Sequence, residues 1–233
     1  MAHTTDAVED PPPRPPNAAV ARTLRTPHFP LAELPSDLGD EKIFVNLDGD
    51  YSYLSDGYYR SLEAEHEGLR AIPTPEDALD AYVVPLALVR AAATGHRIPE
   101  WEIINDLTIS FQPPFILYPV NPYMDEGEVV ADANGLSEAV KSLSMSGKYA
   151  MVCQQMPPDS RVDTVRLVLG QCLKPEYKEL AAKLWNTFRL PLARVRIIVT
   201  EREFLFSAIS PLKKEELTQN EKALIKEAGL WRV

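Results

Sequence analysis

The chain has 233 residues, 45 % of them apolar and 25 % charged, with a formal net charge of −10. That length and balance predict a globular protein with enough core for one medium domain. The acidity opposes phosphate backbones, no stretch of about 18 apolar residues could span a bilayer, and no N-terminal run resembles a signal peptide. Neither a nucleic-acid nor a membrane partner is therefore expected, and the cytoplasm is the expected location.

Residues 1–36 are rich in proline, threonine and acid, and include PPPRPP at 11–16. Such a segment buries too little apolar surface to offset its ordering entropy, so a disordered Pro-rich arm is expected there. Arms of this kind also serve as ligands for other domains. Residues 37–233 are expected to form a single α/β domain, with a candidate sub-lobe at about 96–160. The sheet should be mixed or mostly parallel and flanked by helices.

KIFVN (42–46) reads as a short buried strand. A tyrosine-rich loop and a helix follow, with Ser55 or Asp56 as cap and Gly68 as stop. RAIP (70–73) reads as the next strand, so strand–loop–helix–strand suggests a parallel crossover unit. Residues 75–95 are helical, with Pro75 suited to a first turn and Pro85 bound to kink or divide the helix. Residues 96–114 hold one strand or a connection. FILYPV (115–120), EVVAD (128–132), YAMVCQ (149–154) and VRLVL (165–169) are strand-like. A helix is expected over 136–143, with Leu136, Ala139, Val140 and Leu143 on one face.

The clearest helix is PEYKELAAKLWNTF (175–188), where Tyr177, Leu180, Ala181, Leu184 and Phe188 recur at steps of three and four. Strands at 192–200 and 204–209 should meet through the charged turn Glu201–Glu203. A capping box, Thr218 with Glu221, opens a last helix whose Ala223, Leu224 and Ala228 are expected to face inward and which Gly229 stops.

Motifs for chemistry are sparse. Asp48-Gly-Asp50 with Asp56 invites a cation site, but Tyr53 stands where a calcium loop needs glycine and no glutamate closes it. Turn and cap roles account for these acids. There is no Gly-rich phosphate loop, no G-x-S-x-G elbow, and no metal spacing between Cys153, Cys172 and the four histidines. The cysteines read as buried thiols of a reducing compartment. Tyr51, Tyr53, Tyr58 and Tyr59 form either a packed corner or a recognition surface at the carboxyl end of strand 42–46.

The run NLDGDYSYLSDGYYRSLEAEHEGLRAIP (46–73) resembles the domain found at the N-terminus of RimK-like ATP-grasp proteins. The likeness is carried by Asn46-Leu47, the tyrosine loop, Gly57-Tyr58-Tyr59, Ser61-Leu62, Ala64-Glu65, Gly68 and Ile72-Pro73. It continues in Leu169-Gly170, Leu180-Ala181, Phe188, Pro191-Leu192 and Pro211-Leu212, so that it covers roughly 42–73 and 162–228. Arg60 and Glu63 depart from it, making one helix face charged where apolar residues are expected. The middle segment, about 76–160, is longer than the family's. The chain ends at Val233, where the resemblance would place the catalytic ATP-grasp domain.

Residues 114–168 also resemble a degenerate ATP-grasp lobe. Asn121 stands at the place of that motif's ATP-binding lysine, and its glycine loop is reduced to Gly127. LFSAISP (205–211) lacks the acid and the asparagine that hold magnesium.

The resemblance implies a non-catalytic accessory or recognition module, and with these motifs missing no cofactor or metal is expected. Its expected partner is a separate ATP-dependent carboxylate–amine ligase, with a peptide or amino acid as the substrate presented. A diverged ATP-grasp enzyme and a small-molecule or peptide sensor are the other two readings. The candidate recognition residues are Asn46, Asp48, Tyr51, Tyr53, Ser55, Tyr58, Tyr59, Arg60 and Glu63. No catalytic residue is assigned.

Overall fold

A computed structural model of the protein describes residues 42–121 and 127–230. The Pro-rich segment 1–36 lies outside the described residues. β1 (Ile43–Val45) and β2 (Arg70–Ile72) pair in parallel, with α1 (Asp56–His66) between them. Ser55 caps α1 by accepting from the amide of Tyr58, and Gly68, at φ +76°, carries the chain out of the helix.

The 75–95 helix is two helices, α2 (Pro75–Tyr82) and α3 (Val84–Ala93). The break falls at Val83, which is extended, and Pro85 lies in the first turn of α3. The proline thus divides the helix by starting a new one, in a turn where its missing N–H costs nothing.

Sheet pairing beyond β1 and β2 is antiparallel among the described residues. The α/β class and mixed pairing expected from the sequence are both observed. A four-stranded sheet has the order β3 (Trp101–Ile104), β6 (Met151–Gln155), β4 (Phe115–Pro119), β5 (Glu128–Val130). A three-stranded sheet follows the chain: β7 (Arg161–Val168), β8 (Leu192–Val199), β9 (Phe204–Ser210). β7 begins earlier than the apolar run 165–169, because Arg161–Thr164, three of them polar, also pair with β8, and Leu169 leaves the strand at φ +50°.

β4 explains how the layers join. All five of its residues are buried. Successive side chains on a strand point to opposite faces. Phe115 and Leu117 pack with α4 (Leu136–Leu143), and Ile116 and Tyr118 pack into the main core with β8, β9, α2, α3 and α5 (Lys178–Phe188). α5 buries Ala181, Leu184 and Phe188, and a 3₁₀ turn at Pro175–Tyr177 precedes it.

The last helix, α6 (Gln219–Glu227), has the expected capping box but a different inner face. Ile225 and Glu221 are buried, and Ala223, Leu224 and Ala228 are only half-buried. The inner face turns because Glu221 is drawn in by Arg166 of β7, at 2.7 Å. Both cysteines are buried, and burial pushes the Cys153 thiol up to about 12.

His96, between α3 and β3, is a buried base. Its Nε2 lies 2.9 Å from Thr187 Oγ1, in hydrogen-bond contact. Nδ1 is buried without a hydrogen-bond partner among the described residues. Burial first, and Lys183 second, hold the imidazole down to about 4. The unfolded chain would take up that proton near pH 6.5, so the folded state is penalised as pH falls from 6.5 towards 4. The melting temperature should therefore fall across that window, and less steeply in His96→Gln, which keeps a hydrogen-bonding group but gains no proton. Parallel curves for the two proteins would count against this account.

Candidate recognition site

The loop from β1 to α1 is built on Asn46. This buried side chain donates to Gly57 O at 2.6 Å and Ser61 Oγ at 3.1 Å, and accepts from the amide of Asp48 at 3.1 Å. Tyr51, fully buried, donates its hydroxyl to Asn46 O at 2.8 Å and stacks on Tyr82. Asn46 and Tyr51 therefore shape the loop from within and present nothing to solvent.

Two glycines let the loop close. A Cβ on Gly49 would lie 1.9 Å from Leu212 O, and one on Gly57 would lie 2.1 Å from Asp50 O. The segment after β9 seals the outside. The Leu212 amide donates to Gly49 O at 3.0 Å, and Lys213 Nζ lies 3.6 Å from Asp50 Oδ2.

The remaining predicted residues face outward or sit at the rim. Ser55 spends its hydroxyl on Asp50 O and on the Tyr58 amide. Tyr53 and Tyr59 are exposed, and Tyr58 is half-buried with its ring edge-on to both, at 5.4 and 6.1 Å. Arg60 donates to Asp48 Oδ1 at 2.8 Å, and Glu63 is exposed one turn further. Burial raises the Asp48 carboxyl, the Arg60 charge works against that, and Oδ2 is buried without a hydrogen-bond partner among the described residues. Arg60 and Glu63 share a face, but only Arg60 is tied back to the loop.

Chemically the surface offers aromatic ring faces, phenol hydroxyls and one cation–anion rim. Among the described residues no three His, Cys, Asp or Glu side chains converge as a metal site. Sequence reasoning missed Leu212 and Lys213, which reach the loop from more than 150 positions away. Their only local signal was the Pro211-Leu212 pair.

It also missed a buried polar chain between the two larger sheets. Ser207 of β9 donates to Gln154 Oε1 at 2.6 Å, so its oxygen receives the Tyr118 hydroxyl at 2.7 Å. Gln154 in turn donates to Ser207 O at 2.9 Å. Arg196 lies over the Tyr118 ring, 5.6 Å from its centroid, and donates to Gly127 O at 2.8 Å. The signal was there: Gln154 and Ser207 are polar residues inside otherwise apolar strands. Asn121 is buried, and its amide contacts Met145 Sδ at 3.3 Å.

The model of the RimK-like ATPgrasp N-terminal domain family matches residues 32–228. No curated protein matches the chain significantly. Among solved structures, a RimK domain ATP-grasp protein from Sphaerobacter thermophilus DSM 20745 is 12 % identical, with TM-score 0.54 over 74 % of this chain and 73 % of that one. The D-alanine–D-alanine ligase of Helicobacter pylori is 15 % identical, with TM-score 0.57 over 80 % and 71 %. The Bacillus anthracis ligase complexed with ATP is 11 % identical, with TM-score 0.53 over 73 % and 70 %. At these identities the likeness is one of fold.

Proposed function

The chain belongs to the RimK-like ATP-grasp N-terminal domain family, and from that premise we propose that it is a non-catalytic accessory module. It works with a separate ATP-dependent carboxylate–amine ligase, and its tyrosine surface engages that ligase or the peptide or amino acid to be joined. The observation that supports this most is the Tyr118–Ser207–Gln154 chain. It links the two larger sheets with buried hydrogen bonds, so a ligand that displaced it would strand buried polar groups. The residues that would offset phosphate charge are also wanting: Asn121 brings no cation, and Phe204–Ser210 carries no carboxylate for magnesium.

The fold likeness to ATP-grasp ligases favours a second reading, a diverged enzyme. One pair of measurements separates the two. Calorimetry of the full chain with ATP and magnesium should show no saturable heat. Added to an ATP-grasp ligase encoded beside it, the chain should bind and raise the ligation rate, and Tyr59→Ala should remove most of that gain. ATP binding and turnover by this chain alone would establish the second reading instead. Absence of association, with the ligase rate unchanged, would sink the first.

A further inference from the structure

We propose that the outer face of α1, with the tyrosine loop before it, is the docking surface for a basic polypeptide segment. Lysine or arginine side chains of that segment meet Tyr53 and Tyr59 and the carboxylates of Asp56 and Glu63. This rests on the accessory reading only in taking the partner to be a protein, and it adds the charge that partner must bring.

Tyr53, Leu54, Tyr59 and Leu62 are 42 %, 44 %, 45 % and 44 % exposed. Large apolar side chains grouped in the open mark a binding surface. Half-buried Tyr58 joins the rings, with Tyr53 edge-on to it at an interplanar angle of 76° and Tyr59 at 78°. Leu62 follows Tyr59 by three positions and so shares its side of the helix. Leu54 is held at φ +68°, a left-handed conformation that a residue with a Cβ resists. Backbone strain of that kind clusters where ligands are held.

The charge of the face decides what can cover it. α1 and its cap residue Glu67 carry four exposed carboxylates, Asp56, Glu63, Glu65 and Glu67. None of them is in an ion pair among the described residues. The one arginine of the helix, Arg60, is turned to Asp48 at 2.8 Å. Asp56 precedes Tyr59 by three positions and Glu63 follows it by four, so a carboxylate stands on either side of that residue along the helix. Phosphate groups of a nucleic acid or a lipid surface are repelled there. A second copy of the chain would set the same carboxylates against one another. A basic segment is attracted, and the net charge of −10 steers it in from a distance.

The rings supply the other half of the contact. A cation over a tyrosine face is attracted by the ring's quadrupole, and the long stems of lysine and arginine cover apolar neighbours such as Leu54 and Leu62. The chain makes this pairing for two of its own buried tyrosines. Lys174 lies 5.5 Å from the ring centroid of Tyr177, and Arg196 lies 5.6 Å from that of Tyr118. Tyr53, Tyr58 and Tyr59 have no cation over them among the described residues.

The test is fluorescence anisotropy on the full chain, at physiological salt and without ligase, using a dye-labelled arginine–leucine–glycine repeat peptide. Saturable binding is expected, and none for the same peptide with glutamate in place of arginine. Tyr53→Ala/Tyr59→Ala should weaken binding about tenfold, whereas Tyr53→Phe/Tyr59→Phe, which keeps the rings, should hold it within about twofold. Glu63→Lys should weaken it about fivefold, and Glu138→Lys on α4, the same change of net charge elsewhere, by less than about twofold. All the replaced side chains are exposed, so thermal melting should be unchanged. No saturable binding, equal binding of the glutamate peptide, or equal losses in Glu63→Lys and Glu138→Lys would overturn the proposal. So would a molecular mass that rises with concentration and is set back by Tyr59→Ala, which would give the surface to a second copy. The accessory role fails separately, by absence of association with the ligase.

Discussion

Gly49→Ala is expected to lower stability by about 3 kcal/mol and to spring the recognition loop from its support. Two costs combine. Gly49 sits at φ +80°, a left-handed conformation that costs a residue with a Cβ roughly 1–2 kcal/mol. Its new Cβ would also lie 1.9 Å from Leu212 O, a backbone atom that cannot rotate away. The chains must part, losing the Leu212-to-Gly49 hydrogen bond and its enclosure, which costs about 1–3 kcal/mol more. Gly68→Ala is the control. Gly68 has φ +76°, yet nothing lies within 4 Å of its would-be Cβ, so only the conformational cost applies. Urea unfolding should place Gly49→Ala well below Gly68→Ala. Equal midpoints would mean that the loop does not depend on the 212 contact. If the loop moves as argued, Gly49→Ala should also weaken any binding at Tyr53 and Tyr59, which lie outside the clash itself.

The same contrast shows which parts of the molecule could be read in the chain. The β1–α1–β2 unit was legible because its causes are local. Ser55 caps the helix it precedes, Gly68 ends it, and Ile43 and Val45 alternate with half-buried Phe44. The crowding of tyrosines between β1 and α1 was legible for the same reason. Its division into inner and outer members was not, because spacing alone does not show that Tyr51 finds an acceptor at Asn46 O. What closes the site comes from far along the chain: Leu212 against Gly49, and Ser207 against Tyr118. Pairing direction was likewise hidden. β7 and β8 are separated by α5, as a parallel crossover would be, yet they run antiparallel. A glutamate at the start of α6 looks like a solvent-facing cap in the sequence. Only its partner, 55 positions earlier, draws it inward.

That partner makes Arg166→Met the second large expected effect, a loss of about 3 kcal/mol at neutral pH. Arg166 forms a two-pronged bond to Glu221, Nε to Oε1 at 2.7 Å and Nη2 to Oε2 at 2.9 Å. The two ends are not equally placed: the side chain of Glu221 is 5 % exposed and that of Arg166 is 32 %. Removing the arginine strands a buried carboxylate, whereas removing the glutamate frees a cation that water can reach. Burial pushes the Glu221 carboxyl up, but the bonds from Arg166 and Thr218 outweigh it and hold the group below its ordinary value. Its contribution is therefore full above the unfolded carboxylate range and is lost as pH falls through the lower, folded value. The gap between wild type and Arg166→Met should narrow on acidification, because the stranded carboxyl of the variant can then take a proton. Arg166→Met/Glu221→Gln, which removes the charge and keeps an oxygen for the Thr218 amide, should recover part of the loss at neutral pH. A gap independent of pH would show that Arg166 acts through packing alone. The clamp also bears on the site. Arg166 stands directly across from Arg194, and these like charges are offset by Glu221 and by Glu216, which pairs with Arg194. Glu216 and Lys213 belong to the turn that meets Asp50 and Gly49. Loosening the clamp should therefore reach the recognition loop, and binding at the tyrosines should fall in Arg166→Met even where the protein remains folded.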